Sequence, residues 1–196
     1  MHLRLLSHFR RKPVEVNDQL SLVIPSPSHF EEWCELRHRS RSFLEPWEPK
    51  WPEDDLTKIG YRRRLNSYQK QRSTGLGRTY FLIDSMSGKL MGGLSLSKIS
   101  HGSFRSATLG YWMGVDHAGK GHMQDAVHGI LRHAFSDLAL NRVEAACIPG
   151  NSRSIHLLQK CGFRKEGFAR EYLEINGIRE DHILFAVLRA DRVIGN

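Results

Sequence analysis

The strongest hydrophobic pattern in the chain runs from residue 108 to residue 138. Its first part, 109–115, is an apolar run as long as one strand, and a turn over 116–123 follows it. Beyond the turn, apolar residues recur every three or four positions, which is the spacing of one buried helix face. These residues are Met123, Ala126, Val127, Ile130, Leu131, Ala134, Phe135 and Leu138. The pattern therefore predicts a strand, a turn with glycines and a long helix over 119–139.

Weaker patterns on both sides of this segment predict the other elements. Proline, glycine and asparagine mark most of their ends, and Asn176-Gly177 is a strong hairpin signal. In chain order, the predicted elements are a strand at 20–24, a helix at 28–38 with Ser28 and Glu31 as its capping box, a helix from about 54 to 72, a hairpin of strands at 80–83 and 90–99, a strand at 142–147, a helix from Asn151 to Cys161, and strands at 163–175 and 180–188.

Two stretches do not fit a regular helix or strand. Residues 43–52 hold three prolines and two tryptophans, which forbid a regular helix or a central strand. Trp47 and Trp51 are large and apolar for a loop, so they either plug the edge of the core or line a pocket. Gly92-Gly93, inside a predicted strand, indicates a bulge or the close approach of another backbone.

The order of these elements predicts an α/β fold with a mixed sheet of about seven strands and helices on both faces. A doubly wound parallel sheet would need stricter alternation of strands and helices. At 196 residues without repeats or linkers, the chain is predicted to form a single domain over 1–196. Residues 1–13 are expected to be a loosely ordered basic arm.

The turn before the long helix has the properties of an anion site. The first N–H groups of a helix have no partner inside it, and the helix dipole places positive potential there. Glycines at 119 and 121 let a ligand reach the backbone without meeting a Cβ, which suits a phosphate or pyrophosphate. Neither the dinucleotide nor the NTP fingerprint is present. The alternative is an ordinary tight strand-to-helix turn, which would use the same residues without binding a ligand.

Composition narrows the class of protein. An apolar fraction of 40% and a charged fraction of 26% are typical of a soluble globular protein, and no apolar run is long enough for a membrane span. Neither a secretory leader nor a paired-cysteine motif is visible among three scattered cysteines, so we expect a cytoplasmic protein without a metal site.

The net charge of +8 favours an anionic partner or ligand. The densest basic clusters are Arg10-Arg11-Lys12 and Arg62-Arg63-Arg64. Either cluster can be a contact for ribosomal RNA or merely a solvated helix face, and no aromatic RNA motif accompanies them.

Two segments give the chain a resemblance to a known family. Residues 118–123 resemble the acyl-CoA signature [Q/R]-x-x-G-x-[G/A] of the GNAT superfamily of N-acyltransferases, and 151–163 resemble its second motif. The element order is similar across essentially the whole chain. Ala118 and Met123 depart from the usual residues, and Leu158 stands where many relatives carry a tyrosine that acts as the general acid.

Within that superfamily the chain is most similar to the RimJ/RimL group, which acetylates the N-terminal amines of ribosomal proteins. The similarity lies in 43–49, 101–104, Gly110-Tyr111 and 179–182. The resemblance implies acetyl transfer from acetyl-CoA to a protein N-terminus, with a ribosomal protein beginning with Ala or Ser as the expected acceptor. It also implies that Ser154 acts as the acid for the leaving thiolate.

The resemblance places acetyl-CoA at the glycine turn. Its pyrophosphate is expected on the N–H groups of 119–124 and its pantetheine amides on the backbone of 113–115. The predicted cofactor-binding residues are Met113, Gly114, Val115, Gly119, Lys120, Gly121, His122, Met123, Gln124, Asn151 and Ser154.

Direct attack by the amine needs a proton acceptor, and the sequence offers several. An α-amino group, with a pKa of about 7.7–8.0, needs only a modest base. Glu48, Glu171 and Glu174 are candidates for that base, although each can equally be an ordinary exposed carboxylate. Trp47 and Tyr172 are candidates for the walls of the peptide slot, or simply for packing.

Two other functions stay open on the sequence. An acetyltransferase acting on a small amine, such as an antibiotic, a polyamine or an amino acid, shares the same fold. A basic module that associates with RNA or the ribosome without catalysis is the other alternative, and the absence of a tyrosine at 158 favours it. The sequence is compatible with a monomer or a homodimer.

Overall fold

The structure is a computed structural model that describes residues 13–193 of the chain. Its strands are β1 (Val14–Asn17), β2 (Leu20–Val23), β3 (Arg78–Asp84), β4 (Leu90–Ser100), β5 (Ser106–Met113), β6 (Arg142–Cys147), β7 (Arg164–Ile175) and β8 (Ile178–Leu188). Its α-helices are α1 (Phe30–Arg39), α2 (Arg41–Leu44), α3 (Lys58–Ser73), α4 (His122–Ser136), α5 (Ser152–Lys160) and α6 (Arg189–Val193). Short 3-10 helices occupy Pro27–His29, Glu45–Trp47 and Val115–His117.

The strands form one mixed sheet in the order β1-β2-β3-β4-β5-β6-β8-β7. Neighbours are antiparallel except β5 and β6, which run parallel because α4 connects them across one face. Pairing between these two strands covers only Ser106–Thr108 against Arg142–Glu144. Beyond Thr108 the strands diverge, which opens the middle of the sheet.

Helices cover both faces of the sheet, as predicted. On one face, α4 and α5 bury the larger core, which includes Ile130 and Leu158. On the other face, α1 and α3 bury a smaller core around Trp33 and Tyr61. Side chains of β5 alternate between the two cores, since Met113 belongs to the larger and Trp112 packs against the smaller.

The sheet has eight strands in the described part of the chain, one more than the approximate prediction of seven. The added strand is β1, which pairs with β2. Its four residues bury only Val16, so its hydrophobic pattern is too short to identify from the sequence. Most of the predicted arm, residues 1–12, lies outside the described residues.

Several predicted boundaries move. The capping box predicted at Ser28 and Glu31 is wrong, because the Ser26 N–H donates to Nδ1 of His29 and Glu31 instead pairs with Lys58. The proline-rich stretch contains the end of α2 and a 3-10 helix, since Pro46 is tolerated in a first helical turn.

The glycine pair in β4 behaves as predicted. The register against β3 shifts beside Gly92, and a Cβ there would lie 2.4 Å from the Trp112 carbonyl oxygen. No helix among the described residues is long and apolar enough to cross a membrane.

The arginine cluster on α3 is largely neutralised within the chain. Arg63 makes two hydrogen bonds to Asp54, and Arg64 binds Asp55 at 2.5 Å. Those two guanidinium groups are therefore committed to holding the start of α3, which weakens the prediction of an RNA contact at 62–64. The other cluster, Arg10-Arg11-Lys12, lies outside the described residues.

Candidate active site

A cleft of about 580 Å³ lies where β5 and β6 diverge. Its walls come from the second half of β5, the turn before α4, the end of β6 and the first turns of α5. The loop after α2 and His182 of β8 close its other side. The structure thus brings together most of the predicted site residues, although they lie as far apart in sequence as Trp47 and Ser154.

The glycine turn enters α4 through two left-handed residues. Gly119 has φ +77° and Gly121, the N-cap of α4, has φ +85°. A Cβ built on either one meets no atom within 4 Å, so these glycines are required by backbone conformation and leave open space above them. That open space borders the cleft.

The N–H groups of this turn are mostly free. Within residues 13–193, the amides at 119–123 donate no hydrogen bond to the backbone, whereas Gln124 donates to the Gly121 carbonyl at 2.9 Å. Gln124 lines the cleft, but its amide is therefore not available to a phosphate as predicted. Five consecutive amides at a helix N-terminus remain, which suits an anion with several oxygens.

Side chains of the turn shape the site in different ways. Lys120 Nζ donates to the Asp116 carbonyl at 2.8 Å, so its charge lies over the turn. Met123 is buried in the larger core, which explains a large residue where the signature has a small one. Burial lowers the pKa of His117, so its imidazole is neutral at pH 7.

The free edge of β5 also borders the cleft. The Gly114 amide donates to Met91 of β4 at 2.8 Å, so alternation directs the amides of residues 109, 111 and 113 away from β4, toward the diverging β6. The predicted pantetheine contacts change accordingly. Met113 lines the cleft, but Gly114 is bonded to β4 and the Val115 amide donates to Ser40 Oγ at 3.0 Å.

The start of α5 carries the predicted acid. Asn151 caps this helix as predicted, since its Oδ1 accepts from the Ser154 N–H at 3.1 Å. Ser154 Oγ lies 2.6 Å from the hydroxyl of Tyr111, which reaches across from β5. The cap and this contact together hold the Ser154 hydroxyl at the cleft.

Tyr111 is a functional candidate that the sequence analysis did not identify. Leu158, at the position of the usual tyrosine, is buried in the larger core and has no group that could transfer a proton. Burial raises the pKa of Tyr111, so its hydroxyl stays protonated at any physiological pH. Tyr111 follows a glycine on β5, and side chains alternate along a strand. The available signal in the sequence was this alternation, which directs Tyr111 to the face covered by α5.

Cys147 ends β6 at the floor of the cleft. Burial raises the pKa of its thiol, and only the thiolate is a strong nucleophile. The residue is therefore suited to packing rather than to covalent catalysis.

Glu48 lines the cleft, but its carboxylate is already engaged. Arg37 donates to both of its oxygens, at 2.8 and 2.6 Å, and the Trp51 indole donates to Oε2 at 2.8 Å. Arg37 itself stacks on Trp51, with its guanidinium carbon 4.0 Å from the ring centroid. These three donors leave a single lone-pair site, on Oε1, so the geometry gives little support to the predicted role as base.

The structure does not bring Glu171 into the cleft. A bulge in β7 sets extra residues opposite Asp181, and Glu171 lies there with φ +46° and its side chain exposed. Its amide donates to the Asp181 carboxylate at 2.8 Å. Glu174, the third candidate base, is also exposed outside the residues that line the cleft.

Trp47 and Tyr172 have different positions. Trp47 lines the cleft and is 40% exposed, so it can contact a bound acceptor. Tyr172 is not among the lining residues, but its ring packs against His182, with centroids 5.6 Å apart. His182, which the sequence analysis did not select as a site residue, is the residue that reaches the cleft.

A second groove of about 470 Å³ lies on the face of α1 and α3. It shares Glu48 and residues 110–112 with the cleft, so the two cavities meet at the centre of β5. Glu48 is the single carboxylate among the described residues that line either cavity, and Arg37 neutralises it.

Comparison with known proteins agrees with this geometry. The family described as acetyltransferase (GNAT) domain matches residues 19–164. A probable N-acetyltransferase of Bacillus subtilis (strain 168), YjcK, is 34% identical over 180 residues, 92% of this chain and 93% of the relative. The ribosomal protein uS5 alanine N-acetyltransferase of Escherichia coli (strain K12) is 34% identical over 152 residues, 78% of each chain.

A solved structure shows the same fold. RimJ of Mycobacterium smegmatis, in complex with CoA-disulfide, is 28% identical and superposes with a TM-score of 0.83. The match covers 88% of this chain and 83% of that one.

Proposed function

The chain belongs to the GNAT family of acetyl-CoA-dependent N-acetyltransferases, and on that basis we propose that it acetylates the N-terminal α-amine of a protein. The foremost candidates for the acceptor are ribosomal proteins that begin with Ala or Ser. The observation that carries the proposal is the cleft between β5 and β6, which joins an open helix N-terminus to a groove on the opposite face.

The residues on the α4 side fit an acyl-CoA. The free amides of 119–123 would hold the pyrophosphate, because they combine unpaired donors with the positive end of a helix. The free edge of β5 at 111 and 113, beyond the last residue that pairs with β6, would pair with the pantetheine amides as an added strand does. Both placements direct the thioester toward the centre of β5.

Ser154 and Tyr111 would assist departure of the thiolate. In the direct reaction, the acceptor nitrogen bonds to the thioester carbon, the C–S bond breaks, and the sulfur takes a proton. Ser154 Oγ–H supplies that proton, and the Tyr111 hydroxyl, 2.6 Å away, stabilises the resulting alkoxide. No protein nucleophile is needed, since positioning alone is worth up to ~7–11 kcal/mol of barrier reduction.

The acceptor would enter through the second groove, on the face of α1 and α3. A polycationic amine needs free carboxylates for recognition, and the lone lining carboxylate among the described residues, Glu48, is bound by Arg37. A peptide N-terminus carries one charge and a backbone that can hydrogen-bond to polar walls. Support for a ribosomal acceptor comes from the uS5 alanine N-acetyltransferase relative. That acceptor implies action in the cytoplasm.

Thiol release from acetyl-CoA tests the proposal. The acceptors are short peptides with a free N-terminal Ala or Ser, the same peptides with a blocked N-terminus and an internal lysine, and a polyamine. We expect turnover with the free N-termini only.

Each other outcome contradicts a specific part of the proposal. Turnover confined to the polyamine would assign the chain to the small-molecule acetyltransferases. Turnover of the blocked peptide would establish acetylation of lysine rather than of the α-amine. Acetyl-CoA binding without turnover of any acceptor would favour the non-catalytic module.

A further inference from the structure

The amine that attacks a thioester must lose a proton, and neither Glu48 nor Glu171 is placed to take it. Glu48 is held by Arg37 and Trp51, and Glu171 lies outside the cleft. We infer that His182 is the general base of the transfer and accepts this proton through Nε2. The inference rests on the proposed transfer to an amine, and it names the residue that completes the site.

The hydrogen bonding of His182 fixes which nitrogen is basic. Nδ1 lies 2.9 Å from the Glu180 carbonyl oxygen, and a carbonyl oxygen can only accept. Nδ1 therefore carries the proton of the neutral ring, and Nε2 carries the lone pair. Nε2 makes no hydrogen bond to any residue between 13 and 193. A buried imidazole with one nitrogen anchored and the other free is arranged to accept a proton.

The position of His182 is on the acceptor side of the sheet. Ile183, Phe185 and Val187 contact the larger core under α4 and α5, so alternation along β8 directs His182 to the opposite face. That is the face on which Trp112 packs. His182 lines the cleft, yet only 2% of the residue is exposed. The acid at Ser154 and this base thus lie on opposite faces of the sheet, and the thioester carbon would lie between them.

The other cleft histidines belong to the coenzyme side. His117 and His122 flank the glycine turn, and His156 lies on α5 one turn beyond its start. Each of them is therefore beside the predicted phosphate and pantetheine contacts rather than the acceptor. His182 is the remaining imidazole among the described residues that line the cleft.

The proton balance of the step is complete. A neutral amine attacks, the C–N bond forms, and the nitrogen becomes strongly acidic as it acquires positive charge. His182 Nε2 takes that proton while the C–S bond breaks and the sulfur takes the proton of Ser154. Solvent then removes the proton from His182 and restores Ser154. The products are an amide and CoA thiol.

Few titratable groups face the ring. Tyr172 of the β7 bulge packs against it, with centroids 5.6 Å apart. The neighbouring Asp181 is bound to the Glu171 amide, and Glu48 across the cleft is bound to Arg37. Since these carboxylates have their own donors, the pH profile of the reaction should report the imidazole.

The test is the pH profile of kcat/KM for His182→Asn, whose side-chain amide can keep the bond to the Glu180 carbonyl. The acceptor is a peptide amide with a free N-terminal Ala and no other titratable group. On the acid side of the profile, wild type should lose activity with a slope of 2, because both the acceptor amine and the general base must be unprotonated for the reaction. His182→Asn should retain only the slope of 1 that the amine causes, with kcat lowered about 10²-fold or more at pH 7.

Controls separate a lost base from lost packing. Binding of acetyl-CoA and the melting temperature should match wild type, and His182→Gln is the second variant if the asparagine substitution disturbs either one. His38→Gln changes an exposed histidine outside the cleft and should keep the wild-type profile.

Several results would overturn the assignment. One is a loss of activity in His182→Asn or His182→Gln with the slope of 2 retained, since packing alone would then explain it. Another is a loss of less than about 10-fold. A third is a profile in which Glu171→Gln, and not the histidine variants, removes the second slope.

The proposed function fails separately. If wild type acetylates a polyamine and no peptide, the acceptor assignment is wrong, yet the same profiles can be recorded with that amine. The part of the pH dependence that His182→Asn removes should then persist, because it belongs to the protein and not to the acceptor.

Discussion

Two helices begin at the same cleft, and their N-termini are built in opposite ways. α5 begins with Asn151, whose side chain accepts the Ser154 amide, so the helix satisfies one of its own free donors. α4 begins with Gly121, which has no side chain to offer, and the amides before and after it stay free. The capped start of α5 (the closed start) holds the Ser154 hydroxyl in place, whereas the uncapped start of α4 (the open start) leaves five N–H donors for a ligand.

The difference shows how one kind of element serves two tasks. A capped helix start is rigid and gives a fixed direction to the residue at its third position, here Ser154. An uncapped start keeps its unpaired amides and its dipole for an anion, at a cost in stability until the anion binds. α3, away from the cleft, is capped by Thr57, whereas α1 and α2 have no side-chain cap. What distinguishes α4 is the left-handed glycine at its N-cap.

The largest effect should come from placing a carboxylate at the open start. In Gly121→Glu, a negative charge enters the space above the free amides, where phosphates would bind. At about 4 Å and an effective dielectric constant of about 20, repulsion between two unit charges is about 4 kcal/mol. We therefore expect acetyl-CoA affinity to fall on the order of 10³-fold, measured by calorimetry.

Gly75→Glu is the matched control. Gly75 has φ +76° and equally open surroundings, but it lies in the turn between α3 and β3 and lines neither cavity. Both variants should lose about 1–2 kcal/mol of stability, since each forces a side chain into the left-handed region. Equal acetyl-CoA affinity in the two variants would show that phosphates do not bind at the start of α4.

The next effect should come from the residue that the closed start positions. Ser154→Ala should lower kcat about 10²-fold at unchanged acetyl-CoA affinity, because the leaving thiolate loses its proton donor. Tyr111→Phe keeps the ring and removes one hydrogen bond, so a loss of about 10-fold is expected. Steady-state kinetics of thiol release measure both. Wild-type kcat in Ser154→Ala would remove Ser154 from the mechanism.

Opening the closed start should have a moderate effect on stability. Asn151→Ala removes the cap and should cost about 1 kcal/mol, which lowers the melting temperature by about 2–4 °C in a chain of this size. Thr57→Ala opens the start of α3 and should cost a similar amount. Only Asn151→Ala should also lower kcat, because only this cap orients Ser154. A kinetic loss of the same size in Thr57→Ala would contradict that link.

These two starts also show what the sequence alone could predict. The glycine turn and the Asn151 cap depend on contacts within a few residues, so local patterns identify them. The bulge or close backbone approach at Gly92 and Gly93 was predictable in the same way, because a glycine inside a strand usually marks one of these two features. Local patterns also identified the buried face of α4, and with it the position of the larger core.

Contacts between distant elements were beyond such patterns. Tyr111 meets Ser154 across 43 residues, which depends on where β5 and β6 diverge. Glu48 was predicted as a base because nothing in its own segment shows that Arg37 holds it. The bulge that keeps Glu171 outside the cleft exists only in the pairing of β7 with β8.

The smallest effect should appear in the pH dependence of stability at the open start. Burial holds the pKa of His117 below its ordinary value of 6.5. The folded state therefore binds this proton less readily than the unfolded state. The stabilisation is present above about pH 6.5 and is lost as the pH falls. Between about pH 7.5 and pH 5.5, the melting temperature of His117→Gln should fall by less than that of wild type.

Acetyl-CoA should act against that trend. An anion at the start of α4 favours the charged imidazole, so saturating ligand should reduce the difference in pH dependence between wild type and His117→Gln. Asn151→Ala, which changes the closed start instead, should keep the wild-type dependence on pH. If ligand leaves the difference between wild type and His117→Gln unchanged, the bound phosphates do not lie near His117, and the open start of α4 does not hold them.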